Sequence, residues 1–182
     1  MMAELFPGNT VVVLKSSKSK IKRYTEEDEK MYSTTLCFLL RDDKILLGMK
    51  KKGFGQGKYN GFGGKIKQGE TILQAAVREL EEESGIQVQE KQLEPAGVLD
   101  FIFPANPELR HDVHIFLVRI WQGEPAETDE MKPQWFLKSR IPYDAMWKDD
   151  IYWLPGVLEG KKINGTVVFA ENNEDIAECN IL

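Results

Sequence analysis

The run from Gly64 to Ile86, GKIKQGETILQAAVRELEEESGI, constrains this chain more than any other stretch. Its apolar positions Ile72, Ala75, Ala76 and Leu80, with Leu73 and Val77 beside them, predict an amphipathic helix over about 71–84. Residues three and four apart share a helical face, so the spacings 79→82 and 79→83 gather Glu79, Glu82 and Glu83 into one patch. Like charges so placed repel, and a bound divalent cation would offset that cost. A bare acidic run is usually a solvated face. The neighbours of this one argue otherwise. Gly61, Gly63, Gly64 and Gly69 precede the helix and let backbone approach a ligand closely, while Gly85 can end it in a left-handed cap. Arg78 adjoins Glu79 and can neutralise or orient a carboxylate of the cluster.

Rival phosphate motifs fail. A Walker loop needs Gly-Lys followed by Ser or Thr, but Gly57-Lys58 precedes Tyr59 and Gly64-Lys65 precedes Ile66. The glycines lack the spacing of a dinucleotide fingerprint, and there is no nucleophile elbow or zinc pattern. His111 and His114 flank an apolar strand without a ligand partner, which favours structural or surface roles.

Composition excludes some partners. A net charge of −5 argues against a nucleic-acid polymer, whose binders carry a basic surface, but not against a single nucleotide held through a metal. No apolar stretch approaches a membrane span, so no membrane is expected. Cys37 and Cys179 are the only cysteines, and Cys37 sits in an apolar run, which points to buried thiols and a reducing compartment. The length of 182 residues suits one domain with a real core, and a monomer is expected.

Residues 1–30 read as an extension to a domain over 31–182. Their basic centre, Lys15 to Arg23, allows a targeting role, which Glu4 and the acidic cluster Glu26 to Glu29 oppose; a cytosolic tail is favoured. Met31 is a candidate alternative start. Strands are predicted at 34–40, 44–50, 98–103, 113–120, 134–137 and 166–170, the first two joined by the hairpin Arg41-Asp42-Asp43. A second helix is predicted over 152–160, with Pro155 in its first turn. The pattern is α/β: a mixed sheet between helices.

Gly64, five residues, Glu70, seven residues, then Arg78-Glu79-Leu80-Glu81-Glu82-Glu83-Ser84-Gly85-Ile86 matches the Nudix box without a gap. The chain resembles the Nudix hydrolases, which cleave nucleoside diphosphates linked to another moiety with Mg²⁺ or Mn²⁺. The resemblance implies an α/β/α sandwich. It also implies metal binding by Glu79, Glu82, Glu83 and the region of the Gly64 carbonyl, with Arg78 in the catalytic cluster.

Three further segments, 46–65, 129–136 and 146–153, resemble the branch that hydrolyses oxidised purine nucleoside triphosphates such as 8-oxo-dGTP and 2-hydroxy-dATP to the monophosphate and pyrophosphate. That resemblance implies nucleotide-pool sanitation in the cytoplasm, with mitochondrial or nuclear fractions. It places Thr35, Phe54, Asn60, Phe101, Trp147, Asp149, Asp150 and Trp153 around the base, Lys50 at the pocket mouth, and Glu130 near the metal. Arg110-His111 stands where the branch tends to have an apolar residue, which leaves the outer wall open to question.

Chemistry makes these residues sensible. Aromatic faces stack purines, and an asparagine offers donor and acceptor together. If adjacent Asp149 and Asp150 both face a dry pocket, repulsion and desolvation would raise the pKa of one enough to keep it protonated. Either could instead cap the helix that follows. Two other functions stay open: a Nudix hydrolase of ADP-ribose, a dinucleotide polyphosphate or an RNA cap, and an inactive nucleotide-binding module.

Overall fold

A computed structural model describes residues 32–182, so the expected extension at 1–30 lies outside the described residues. Strand β1 (Tyr32–Arg41) turns through Asp42, at φ 54°, into β2 (Lys44–Lys50). A short β3 (Tyr59–Asn60) and helix α1 (Ile72–Ser84) follow, then β4 (Leu93–Ile102), β5 (His111–Val118) and β6 (Met131–Leu137). Helix α2 (Asp150–Leu158) precedes the closing hairpin of β7 (Ile163–Phe169) and β8 (Ile176–Ile181).

The eight strands form one sheet in the order β3-β2-β1-β5-β4-β7-β8, with β6 on the other edge of β2. It is mixed: β1 with β5 and β4 with β7 run parallel, and the remaining pairs antiparallel. The run Leu36–Leu40 is apolar without alternation because β1 is covered on both sides. Leu36, Phe38 and Leu40 enter the core shared with Trp153, Leu154 and Val157 of α2, while Cys37 and Leu39 enter the core shared with Ala76 and Leu80 of α1. The result is a sheet with a helix on each face, the Nudix α/β/α arrangement.

Helix α1 starts where local chemistry dictates. The Thr71 hydroxyl accepts the Gln74 N–H at 3.1 Å and the Gln74 side chain accepts the Thr71 N–H at 3.0 Å, a reciprocal cap. Gly85, at φ 72°, ends it and donates to the Glu81 carbonyl. Burying Leu80 contributes roughly 1.5–3 kcal/mol to docking this helix, and Leu80→Asp would undock it.

Several elements depart from the sequence expectation. Strand β4 begins at Leu93, five residues early, because it continues through a bulge between Pro95 and Gly97 that reads in sequence as a break. Strands β5, β6 and β7 also begin earlier than predicted; β6 tolerates Pro133 because it pairs with β2 alone. Strands β3 and β8 were not predicted. Helix α2 begins at Asp150 rather than 152, which moves Pro155 past the first turn, where it forgoes a bond to Ile151 on an exposed face of the helix.

Candidate active site

The glycine loop is wedged against β1. The Cys37 N–H donates to the Phe62 carbonyl at 2.7 Å, the Phe62 N–H returns the bond at 2.9 Å, and the Thr35 N–H donates to the Gly64 carbonyl at 2.9 Å. A Cβ on Gly63 would lie 1.9 Å from the Thr35 carbonyl oxygen, and one on Gly64 only 2.6 Å from the Glu79 carboxyl carbon. Backbone approach requires glycine at 63, whereas at 64 a Cβ would displace the Glu79 carboxylate.

The loop meets the acidic helix through Glu83. This carboxylate is buried, with 4% of its side chain exposed, and its Oε2 accepts the Gly63 N–H at 2.9 Å. Burial pushes its carboxyl up to about 7, Glu79 adds to the push, and the Gly63 N–H and Lys50 oppose it. Lys50 Nζ stands 3.5 Å from Glu83 Oε1 and 4.0 Å from Glu130 Oε2, between the two.

Arg78 organises the remaining carboxylates. Its guanidinium forks onto Glu70 at 2.6 and 2.9 Å, and Nη1 reaches Glu79 at 2.7 Å and Glu82 at 3.0 Å. The hydrogen bonds from Arg78 hold the Glu70 carboxyl down at about 2. The three glutamates do not converge on one point. Glu82 is 54% exposed between Arg78 and Lys67, and Glu130 is half exposed beside Lys50 and Lys52. Among the described residues no three His, Cys, Asp or Glu side chains are grouped to hold a metal ion. The donors themselves fit a hard divalent cation: Glu79, Glu83, Glu82 and the Gly64 carbonyl are all oxygen, and burial raises the cost of the Glu83 charge, which a cation would offset.

Beside this loop opens a cleft of about 200 Å³. Thr35, Lys50, Phe54, Asn60, Gly64, Phe101, Trp147, Asp149, Asp150 and Trp153 all line it, drawn from β1, β2, β3, β4, three loops and α2. Glu79, Glu82, Glu83, Arg78 and Glu130 stand outside its lining, joined to it through Gly63, Gly64 and Lys50.

The cleft floor holds unsatisfied polar groups. Thr35 Oγ1 and Asp149 Oδ1 are buried with no hydrogen-bond partner among the described residues. Such groups cost stability unless a ligand completes them. Asn60 Oδ1 accepts the Gly61 N–H at 2.8 Å, which orients its amide N–H donors away from that contact.

Neither aspartate side chain caps α2. Asp149, at the cap position, has helical backbone angles and no capping bond; its Oδ2 accepts the Trp153 indole N–H at 2.8 Å. Asp150 Oδ2 reaches back to the Trp147 N–H at 3.0 Å. Burial raises both carboxyls, and the charge of Asp149 raises Asp150 further.

Residues not singled out in the sequence complete the wall. Phe169 from β7 and Phe103 stack at 4.4 Å and 6°, and Phe169 meets Trp147 edge-on at 6.0 Å. Phe54, 49% exposed, lies over Trp147 at 4.8 Å. Phe169 carries no sequence signal, since only the β4–β7 pairing brings it to the cleft. His111, read in sequence as structural or superficial and, with Arg110, as bearing on the outer wall, lines the cleft from the start of β5, two residues before the expected strand.

The comparisons agree with this geometry. The NUDIX domain family matches residues 31–157. An oxidized purine nucleoside triphosphate hydrolase of Danio rerio is 52% identical over 135 residues, 74% of this chain and 85% of the relative. The protein of the same name from Mus musculus is 48% identical over 139 residues, 76% of this chain and 87% of the relative. A crystal structure of a mutator MutT protein from Bacillus halodurans superposes with a TM-score of 0.72 at 25% identity, covering 83% of this chain and 97% of that one. Glycine loop, capped acidic helix and two-faced sheet thus coincide with a family match over most of the length, and the chain belongs to the Nudix hydrolases.

Proposed function

We propose that the protein hydrolyses oxidised purine nucleoside triphosphates, 8-oxo-dGTP and 2-hydroxy-dATP among them, to the monophosphate and pyrophosphate. The observation that carries this reading is the cleft itself, where Asp149 and Asp150, both buried and both raised by that burial, line the same space as Trp147, Phe54 and the glycine loop that meets the acidic helix. One ionised and one protonated acid give an acceptor and a donor side by side, a pair that can match more than one purine edge. Two relatives at about half identity bear the name of this activity.

Nudix hydrolases generally use divalent metal ions; for this chain we infer Mg²⁺, or Mn²⁺, held by Glu79, Glu82 and Glu83 with the Gly64 carbonyl, and Glu130 approaching from its own loop. When bound, such an ion neutralises phosphate charge and lowers the pKa of a coordinated water. The protein's own part is to position. Arg78 fixes Glu79 and Glu82, the Gly63 N–H fixes Glu83, and a carboxylate of the cluster accepts the water proton. Lys50 sits at the cleft mouth, within reach of both the acidic group and a phosphate. Trp147 and Phe54 offer the stacking faces, and Asn60, Thr35, Asp149 and Asp150 the polar readout, with Phe101 and Trp153 shaping the walls.

The expected working form is a monomer acting on free nucleotides rather than nucleic-acid polymers, in cytoplasm with mitochondrial or nuclear fractions. A net charge of −5 and two free, buried cysteines support this. The test is a turnover panel with Mg²⁺: 8-oxo-dGTP, 2-hydroxy-dATP, dGTP, dATP, ADP-ribose, a dinucleotide polyphosphate and a capped RNA, with pyrophosphate and phosphate measured separately. Preference for the oxidised purines with pyrophosphate release supports the reading. Preference for ADP-ribose, the dinucleotide or the cap overturns it, and absence of turnover on the whole panel returns the fold to a binding role.

A further inference from the structure

We propose that His111 distinguishes oxidised from normal purines by accepting the hydrogen that oxidation at C8 places on N7 of the base. The inference rests on the proposed reading of the cleft as a purine pocket and adds a discriminating residue to it.

The tautomer of His111 is fixed by its neighbour. Nδ1 contacts the Leu109 carbonyl, which can only accept, so Nδ1 carries the proton and Nε2 presents a lone pair. The ring is held neutral mainly by burial, aided by Lys65, while the Leu109 carbonyl and Asp112 act in the opposite sense. His111 therefore offers the cleft an acceptor.

The ring row fixes how a base would meet it. Trp147 stands at 76° to Phe169, whereas Phe169 lies at 6° to Phe103 and Phe103 at 24° to His111. The imidazole is thus far from parallel to the Trp147 plane. A purine stacked on Trp147 meets His111 crosswise, at an edge rather than a face. Ring contacts link Trp147 to Phe169 at 6.0 Å, Phe169 to Phe103 at 4.4 Å and Phe103 to His111 at 5.9 Å, and His111, Trp147, Asp149 and Asp150 all line the one cleft. On this proposal the pairing edge of the base is assigned to Asp149 and Asp150 and its N7–C8 edge to His111, which lines the same cleft.

Chemistry supplies the discrimination. Unmodified guanine and adenine carry a bare acceptor at N7. Two facing acceptors repel and leave each other unsatisfied, whereas the 8-oxo bases bear N7–H and complete the bond. Oxidation at C2 of adenine leaves N7 bare, so 2-hydroxy-dATP gains nothing from His111.

The experiment compares kcat/KM for 8-oxo-dGTP, dGTP, 8-bromo-dGTP and 2-hydroxy-dATP in wild type, His111→Leu and His111→Gln, with melting curves for each. In wild type 8-bromo-dGTP, substituted at C8 but lacking N7–H, should behave as dGTP does. His111→Leu should lower the 8-oxo-dGTP to dGTP ratio by roughly tenfold or more, the scale of a lost buried hydrogen bond, and leave 2-hydroxy-dATP within about twofold. His111→Gln, which keeps an acceptor, should recover much of the ratio and decides the matter if the leucine variant fails to fold. An unchanged ratio, an equal loss on all substrates, or 8-bromo-dGTP processed like 8-oxo-dGTP overturns the proposal. Wild type inactive on every oxidised purine overturns the functional reading itself, an outcome seen before any variant is made.

Discussion

The Glu83 carboxylate accepts the backbone N–H of Gly63 at 2.9 Å, tying the last turn of the acidic helix to the glycine loop at the edge of the cleft. Glu82, one residue earlier, is instead exposed and held by Arg78 and Lys67. The two glutamates should therefore differ on mutation. Glu83→Gln keeps an oxygen for Gly63 but removes a buried anion, and turnover should fall by roughly a hundredfold or more. Glu82→Gln, in a solvated position, should lose less and regain activity at raised Mg²⁺. Titrating Mg²⁺ against rate for both variants checks this; near-wild-type turnover by Glu83→Gln would remove it from the proposed site.

Arg78 joins Glu70, Glu79 and Glu82 through one planar fork, a geometry that an ammonium cannot reproduce. Arg78→Lys should lower stability by about 1–2 kcal/mol and reduce kcat more than it changes KM, since it disorders carboxylates rather than the base pocket. A thermal melt with steady-state kinetics tests both parts. A change confined to KM would place Arg78 with substrate binding instead.

A chain beginning at Met31 should fold and turn over as the full chain does, because the NUDIX match begins there and the described sheet begins at Tyr32. The measurement is a paired comparison of melting temperature and kcat/KM. A drop of many degrees would mean that the apolar run Val11 to Leu14 packs on the domain.

Much of this site was legible because its signals are local. The spacing of Glu79, Glu82 and Glu83, the glycines before them and Gly85 after them are all contained in one short segment, and helix periodicity converts spacing into a face. The cleft was legible only in pieces. Phe169 reaches it through parallel pairing of β7 with β4, and Phe103 through stacking on Phe169, long-range contacts that no local pattern encodes. His111 was legible only as part of the outer wall with Arg110, because a polar His-Asp pair hides the start of β5, whose pairing with β1 and β4 fixes it as strand. Spacing alone did not show the partners of that patch: Arg78 bridges Glu79 and Glu82, and Lys67 holds Glu82 on its exposed side.

Asp150 gives a stability prediction whose sign runs against the usual carboxylate case. Its folded pKa is raised, chiefly by burial and then by Asp149, so the folded state binds its proton more tightly than the unfolded chain. Stability is therefore lost as pH rises above the unfolded pKa of about 4. Asn keeps the oxygen that accepts the Trp147 N–H and has no proton to hold. Asp150→Asn should raise Tm by about 2–4 °C at pH 7.5 and by much less at pH 4. A variant less stable than wild type at pH 7.5 contradicts the burial argument.

The same pair should divide the substrates. With one proton shared by the pair and Asp149 binding the Trp153 N–H, the floor offers a donor beside an acceptor, and exchange of the proton between them reverses the order. An amide cannot make that exchange. Asp149→Asn fixes one order and Asp150→Asn removes the other's flexibility, so the variants should lose different bases: one should suffer more with 8-oxo-dGTP, the other with 2-hydroxy-dATP. Each mismatched buried bond should cost on the order of 1–3 kcal/mol, about a ten- to hundredfold change in specificity. Capping offers no competing account, since neither side chain caps α2. The measurement is kcat/KM for both nucleotides in both variants. Equal losses on the two bases would mean that the aspartates only position the helix, and unchanged ratios would mean that they do not read the base.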